Sequence, residues 1–290
     1  MMRILIAAMA VVMLGARAWG LDIGGLELEA DEQVQVTLRE WAWRSGDQMM
    51  PAVNVILNSG RFLYEIRHDQ KHGSGLIGLA KPGVYNWFQA GMLRVFINGE
   101  RFALLPENDE KIEIVEGDVG KALFSWENEA AKLHLNFYMF ALDDKIFLEV
   151  LLEPRVDIDR LGITFRGFPG STNRDPRHVF YTPERRLEET GTVNLGLPGE
   201  NWVLLTDENM NYGEHDRAVG PCGIAYLPEG ISSARISMGG FGSNLSLTCD
   251  PGARRFVFTL WEFPDMTNSE AAGAMEGRIA DAFEKMRQIQ

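Results

Sequence analysis

The chain has 290 residues, of which 46% are hydrophobic and 24% are charged, and its formal net charge at pH 7 is −13. This composition is typical of a globular protein with enough apolar residues for a sizeable core. The strong negative charge disfavours nucleic acid and anionic membrane surfaces as partners.

The first 18 residues have the pattern of a signal peptide. Arg3 precedes an apolar run over residues 4–15, and Ala16-Arg17-Ala18 provides the small residues that a signal peptidase accepts. The apolar run is shorter than the roughly 20 residues that span a bilayer. We therefore expect cleavage after residue 18 and an exported mature protein, periplasmic or extracellular, without membrane insertion after cleavage.

Most of the mature chain alternates between apolar and polar residues, which predicts β-strands with one buried face. The alternation is clear over residues 34–39 and 132–139. Asn98-Gly99 predicts a tight hairpin turn, because both central residues must tolerate positive φ. Leu142-Asp143-Asp144-Lys145 predicts a second hairpin. The pattern as a whole indicates a mainly β fold: one large antiparallel β-sandwich domain over residues 19–290.

Two segments depart from this pattern. Residues 167–200 are rich in Gly, Pro and charge and predict a long irregular connection, of the kind that often carries function. Thr267 and Glu270 have the spacing of a capping box. The apolar residues that follow recur at helical spacing and predict an amphipathic C-terminal helix over about residues 268–288, packed on the sheet; they are Met275, Ile279, Phe283 and Met286.

Two tryptophans on the first strand are candidate ligand-binding residues. Trp41 and Trp43 follow the alternation of Val34, Val36 and Leu38, but they fall on the polar parity. Exposed aromatic rings stack on the apolar faces of sugars, and exposed apolar groups mark interaction surfaces. The alternatives are a bulge that turns both rings inward, or cover from another sheet.

The predicted connection contains the densest basic cluster of an acidic chain. Arg177, Arg185 and Arg186 are candidate binding residues for carboxylate or sulfate groups, such as those of acidic polysaccharides. His178 and Glu184 from the same segment, together with His215, are weaker candidates for acid–base catalysis. The alternative for the arginines is a set of structural salt bridges with neighbouring glutamates.

An oxygen-rich loop follows at residues 207–216. Asp207, Asn209, Asn211 and Glu214 are spaced as calcium ligands could be. The segment departs from an EF-hand loop, because Tyr212 stands where glycine is required. The alternative is a solvated acidic loop, and no cofactor other than calcium is predicted.

Two cysteines, Cys222 and Cys249, each lie at the end of a predicted strand. In an oxidising compartment, adjacent strands would allow a disulfide between them. Two separate buried thiols are the alternative.

Two segments carry a resemblance to a known family: NWFQAGMLRVFINGERFALL and NWVLLTDENMNYGEHDRAVGPCGIAYLPEG. With the strand pattern, they resemble galactose-mutarotase-like β-supersandwich domains in uncharacterised exported bacterial proteins. Related domains occur within polysaccharide lyases and glycoside hydrolases. The resemblance implies a large antiparallel sandwich, and it transfers no catalytic residue to this chain.

Three functions are consistent with these observations. The first is carbohydrate recognition, within a polysaccharide-processing system, with the paired tryptophans and the arginine cluster as the binding residues. The second is a sugar-active enzyme of the epimerase or lyase type on a mutarotase-like fold. The third is a structural or envelope-assembly protein without a small ligand. Short sequence motifs do not separate them, because glycan chemistry leaves no short signature.

Overall fold

A computed structural model describes residues 33–45, 47–69, 76–81, 92–104, 110–167, 178–188, 191–208, 220–239, 243–264 and 266–289. This part contains nineteen strands and one helix. In chain order the elements are β1 (Gln35–Ser45), β2 (Gln48–Asn58), β3 (Leu63–Asp69), β4 (Leu76–Lys81), β5 (Leu93–Ile97), β6 (Glu100–Arg101), β7 (Lys111–Val115), β8 (Val119–Glu127), β9 (Ala131–Phe140), β10 (Lys145–Pro154), β11 (Leu161–Gly167), β12 (His178–Tyr181), β13 (Arg186–Leu187), β14 (Gly191–Leu195), β15 (Trp202–Asp207), β16 (Cys222–Tyr226), β17 (Ile231–Met238), β18 (Ser243–Cys249), β19 (Arg255–Glu262) and α1 (Asn268–Gln288).

The strands form three antiparallel sheets. A four-stranded sheet has the order β1-β2-β3-β4, and a six-stranded sheet has the order β14-β17-β18-β11-β5-β6. The largest sheet has nine strands in the order β13-β12-β15-β16-β19-β10-β9-β8-β7. The prediction of a mainly β, antiparallel sandwich with one C-terminal helix is therefore confirmed.

The alternation in the sequence appears directly in burial. Along β8 and β11, every second residue is buried and the residues between are half-buried. The turns also follow the sequence. Asn98 (φ 54°) and Gly99 (φ 89°) join β5 to β6, and Leu142 (φ 57°) lies in the turn between β9 and β10. Both predicted hairpins are confirmed by the antiparallel pairing of their strands. In the first, Asn98 and Gly99 tolerate the left-handed backbone that such a turn requires.

Each face of the nine-stranded sheet contacts a separate apolar core. The first core contains side chains from all three sheets, and the second lies between the nine-stranded sheet and α1. Successive residues of β19 alternate between them: Phe258 and Leu260 belong to the first core, whereas Val257 and Trp261 belong to the second.

Helix α1 begins and ends as the sequence predicts. The Thr267 hydroxyl accepts a hydrogen bond from the Glu270 amide, and the Glu270 carboxylate accepts one from the Thr267 amide, which completes a capping box. Met275 and Met286 are buried on the face that meets the sheet. Within the described residues, no helix has the length and apolar character needed to cross a membrane.

Charged side chains also hold α1 to the turn between β9 and β10. Arg278 donates two hydrogen bonds to the Asp144 carboxylate, at 2.7 and 2.8 Å, and Lys285 Nζ lies 2.9 Å from Asp143 Oδ2. The ammonium of Lys145 is buried between Asp143 and the Trp261 ring, whose centroid is 4.7 Å away. The helix is therefore fixed both by apolar packing and by ion pairs of partly desolvated groups.

Two sequence predictions are wrong in the described residues. The segment 167–200 was predicted to be irregular, but it contains β12, β13 and β14. The apolar residues of β12 are too few to show an alternation; the strand forms because it pairs with the buried β15.

The predicted disulfide is the second error, and the alternative of two separate buried thiols holds. Cys222 and Cys249 are both free and buried. Cys222 pairs with Leu205 and Glu262 in the nine-stranded sheet, whereas Cys249 belongs to the six-stranded sheet. They do not lie on adjacent strands, which was the condition for the bond.

Candidate functional site

The hairpin of β12 and β13, at one edge of the nine-stranded sheet, carries most of the predicted site residues that the structure describes. Tyr181 lies opposite Arg186 across the hairpin. The turn is closed by Thr182, whose amide donates to the Arg185 carbonyl at 2.9 Å and whose hydroxyl accepts from the Arg185 amide at 3.1 Å. The hairpin is attached to the sheet through the pairing of β12 with β15.

Arg185 is fixed by a buried carboxylate. Its Nε donates to Glu200 Oε1 at 2.8 Å, and its Nη2 donates to Glu200 Oε2 and to the Asn194 carbonyl. Glu200 is 1% exposed. Burial alone would raise the pKa of Glu200, but hydrogen bonds from Arg185, Thr182 and the Gly196 amide lower it to about 2. Within the described residues Arg185 Nη1 makes no hydrogen bond, so this nitrogen can donate to a ligand.

A groove of about 330 Å³ separates this hairpin from α1. Its hairpin side is formed by Tyr181, Thr182, Pro183, Arg185 and the largely buried Trp202, and its helix side by Ser269, Ala272, Gly273 and Glu276. We call this space the hairpin–helix groove. Its volume is at the small end of the roughly 300–1,000 Å³ that is typical of small-molecule sites.

Small residues on α1 open the groove. Ala272 and Gly273 line it together with the aromatic residues Tyr181 and Trp202. A Cβ placed on Gly273 meets no atom within 4 Å. The residues that line the groove are spaced at i, i+3, i+4 and i+7 from Ser269, which is one face of a helix. The groove therefore lies beside the face of α1 that packs on the sheet, which carries Ala271, Met275, Ala282 and Met286, at a place where short side chains leave space next to the hairpin.

The chemistry of the groove is mixed. Tyr181 provides a half-buried aromatic ring, Arg185 a hydrogen-bond donor, and Ser269 a group that can donate or accept. The carboxylate of Glu276 is exposed and accepts hydrogen bonds. Aromatic, donor and acceptor groups thus meet in one concave surface.

Arg186 lies beside the groove rather than in its lining. Its guanidinium is 5.8 Å from the centroid of the Tyr181 ring and forms ion pairs with Glu188 and, at 3.9 Å, with Glu208. Arg186 therefore forms a salt bridge with a neighbouring glutamate, as the alternative from the sequence has it, whereas Arg185 pairs with the more distant Glu200. Of the two arginines, Arg185 lines the groove.

His178 lies on the other face of the hairpin. It is 7% exposed and pairs across the sheet with Asp207, which is fully buried. Burial lowers the pKa of His178, and the Asp207 charge and the Gly239 backbone partly offset this effect. Glu184 is exposed at the hairpin turn. In the structure, His178 thus lies opposite the buried Asp207, and Glu184 lies at the exposed hairpin turn.

The predicted tryptophans lie in the four-stranded sheet. The register of β1 with β2 runs without a shift from Gln35 to Ser45, with Trp41 opposite Ala52 and Trp43 opposite Met50. The predicted strand is therefore present, and its pairing contains no bulge. The side chains of Trp41 and Trp43 lie outside the described part of the structure, so their role in binding stays a prediction.

The remaining predicted site residues are only partly described. Arg177, Asn209, Asn211, Glu214 and His215 lie outside the described residues. Asp207 is buried at the end of β15. Among the residues that are described, no three His, Cys, Asp or Glu side chains are grouped as metal ligands. Calcium binding stays a prediction.

A second, larger groove of about 690 Å³ lies between the turn after β10 and the turn before β19. Its lining includes Arg155 and Arg254 but no aromatic side chain. Arg155 pairs with Glu127, and Arg254 donates to the carbonyls of Pro251 and Ala253. Because it has no aromatic side chain on which a ring could stack, this groove is a weaker candidate.

The sequence did not indicate Tyr181, Gly273 or Glu276 as site residues. Tyr181 lies in the segment predicted to be irregular, and the other two lie on a helix predicted only as a packing element. Ala272-Gly273 was the available signal, because adjacent small residues on a helix leave space beside it.

Comparisons with known proteins show weak structural similarity. No protein-family model and no curated protein sequence matches the chain. Two solved structures described as putative aldose 1-epimerases are similar. That from Klebsiella pneumoniae has 9% identity and a TM-score of 0.46, and the match covers 86% of this chain and 95% of that one. That from Escherichia coli has 9% identity and a TM-score of 0.40, covering 78% and 99%.

An alpha-N-acetylgalactosaminidase from Bifidobacterium bifidum is also similar, with 9% identity and a TM-score of 0.48. That match covers 84% of this chain but 39% of the enzyme, so this chain corresponds to about two-fifths of it. The weak resemblance to galactose-mutarotase-like domains predicted from the sequence is confirmed at this level. These scores assign no function to the hairpin–helix groove.

Proposed function

We propose that this protein binds carbohydrate in the hairpin–helix groove. The observation that carries the proposal is the meeting of the Tyr181 ring, the fixed Arg185 guanidinium and the Glu276 carboxylate in one groove of about 330 Å³. A sugar ring has an apolar face and a rim of hydroxyl groups. The apolar face stacks on an aromatic side chain, and the hydroxyl groups require both hydrogen-bond donors and acceptors.

The fixed position of Arg185 supports this proposal. A guanidinium that is already held by Glu200 and the Asn194 carbonyl loses little conformational freedom when its remaining nitrogen binds a hydroxyl. Export, which the signal-like N-terminus predicts, would place the groove where extracellular glycans occur. We propose that the mature protein works there in a polysaccharide-processing system.

The test fills the groove without disturbing the fold. In Gly273→Trp, the new side chain starts from a position where a Cβ meets no atom, and it enters the groove. Replacing a glycine inside a helix also favours the helix. Glu284→Trp is the control, because Glu284 is exposed on the same helix about three turns from Gly273 and does not line the groove.

The assay is calorimetric titration of the chain with neutral, acidic and amino oligosaccharides. We expect at least one class to bind, with affinity reduced about tenfold or more in Gly273→Trp, equivalent to about 1.4 kcal/mol. Glu284→Trp should bind as the wild type does. If both variants bind the oligosaccharide as tightly as the wild type, the ligand site lies elsewhere. If the wild-type protein binds no class of oligosaccharide, carbohydrate recognition is rejected.

A further inference from the structure

Arg185 alone would make the hairpin–helix groove positively charged, but its neighbours change this charge. Arg185 forms a two-point ion pair with Glu200, which is 1% exposed. A buried carboxylate that accepts hydrogen bonds from Arg185, Thr182 and the Gly196 amide stays ionised. The positive charge of Arg185 is therefore already balanced inside the protein, although its Nη1 still donates hydrogen bonds.

The other ionisable side chain of the lining is acidic. Glu276 is exposed on α1 and forms no ion pair with any described residue. Glu184 lies between the lining residues Pro183 and Arg185, is exposed, and likewise has no ion-pair partner in the described part of the chain. Its charge adds to that of Glu200 at Arg185. The groove and its rim therefore carry net negative charge.

We propose that the groove prefers a carbohydrate that carries a free ammonium group, an amino sugar, over one that carries a carboxylate. This inference rests on the proposed function and names its ligand class. An ammonium that reaches Glu276 gains a charge-assisted hydrogen bond. A uronate placed there meets a like charge, and Arg185 has no net charge left to attract it. The arginine cluster, which predicts acidic ligands when considered alone, is therefore misleading for Arg185.

The expected preference is modest, because Glu276 is exposed. Ion pairs between exposed groups contribute about 0.2–1 kcal/mol, so we expect an amino sugar to bind about two- to fivefold more tightly than its neutral N-acetylated form. The preference should fade at high salt, where exposed charges are screened. Uronate oligomers should bind more weakly than neutral ones.

The test compares chitosan, chitin and polygalacturonate oligomers of equal length at mildly acidic pH, where the amine is protonated. Glu276→Gln removes the groove carboxylate and keeps a side chain of similar shape. Glu284→Gln makes the same change in net charge at an exposed position of α1 outside the groove lining. Both sites are exposed, so the variants should keep the fold, and melting temperatures check this.

The proposal expects the preference for chitosan over chitin oligomers to disappear in Glu276→Gln and to persist in Glu284→Gln. Tighter binding of uronates than of amino sugars, or an unchanged preference in Glu276→Gln, would overturn it while leaving carbohydrate binding intact. If no oligomer binds, both this inference and the proposed function fail.

Discussion

The buried carboxyl of Glu262 makes a quantitative prediction about stability. Glu262 lies on β19 opposite Cys222 and is 3% exposed, and its Oε1 atom has no hydrogen-bond partner among the described residues. Its amide donates to the Tyr64 hydroxyl, which itself donates to the Asp144 carbonyl. Burial raises the pKa of Glu262 to about 8 from an ordinary value of 4.5.

The sign of the effect follows from proton linkage. The folded protein holds the Glu262 proton more tightly than the unfolded chain, so this group stabilises the fold most below pH 4.5. That contribution is lost as the pH rises through 8. At 1.36 kcal/mol per pKa unit, the loss is roughly 4–5 kcal/mol. This is a large share of the roughly 5–15 kcal/mol that stabilises a typical domain.

Glu262→Gln tests this account directly. The amide resembles the protonated acid in shape but does not ionise. We expect wild type and variant to have similar free energies of unfolding near pH 5, and the variant to be more stable by several kcal/mol at pH 9. Urea denaturation at fixed ionic strength across this range measures both. Glu284→Gln, an exposed change of equal charge, is the control.

The pH dependence of groups that do not interact with Glu262 is common to wild type and variant, so it cancels in their difference. Tyr64 and Cys222 are exceptions, because the charge of Glu262 contributes to raising the pKa of both. Parallel stability curves for wild type and Glu262→Gln would contradict a raised pKa of Glu262. They would mean that the carboxyl stays ionised in the fold or reaches water.

Three further predictions concern the helix, its ion pairs and the thiols. Thr267→Ala removes the N-cap and should cost about 1 kcal/mol in chemical denaturation, whereas Thr267→Ser should cost little; equal losses would contradict the capping role. Asp143→Ala leaves the buried ammonium of Lys145 without its nearest carboxylate and should cost about 3 kcal/mol; a loss below 1 kcal/mol would count against that ion pair. Cys222 and Cys249 should both react with a thiol reagent after unfolding without reductant, and neither in the native state, because burial raises the pKa of both; an absence of thiols after unfolding would show that they are bonded.

Features set by short-range physics were predictable from the sequence. The Asn98-Gly99 turn and the capping box at Thr267 depend on a few neighbouring residues, and both are present as predicted. The alternation of apolar residues gave the fold class, because burial of one strand face imposes a period of two. These signals need no knowledge of which strands are neighbours.

Features that depend on distant pairing were not predictable. Alternation shows which face of a strand is buried, but it does not show to which sheet the strand belongs. The sequence therefore did not show that Cys222 and Cys249 lie in different sheets. β12 forms through its pairing with β15, and its own four residues carry little signal.

The candidate site depends on such pairing. The hairpin–helix groove exists because the fold brings Tyr181 and Gly273, 92 positions apart in the sequence, to the same groove. The predicted arginine cluster included Arg185, which does line the groove. Its partner Glu200 is fifteen residues away, and the sequence did not show that this pair balances the charge.

A crystal structure of the protein soaked with the oligosaccharide that binds most tightly would show where the sugar lies. We expect a sugar ring in the hairpin–helix groove, in contact with the Tyr181 ring and within hydrogen-bond distance of Arg185 Nη1 and Glu276. A sugar bound at another surface, with the groove containing only solvent, would contradict this expectation.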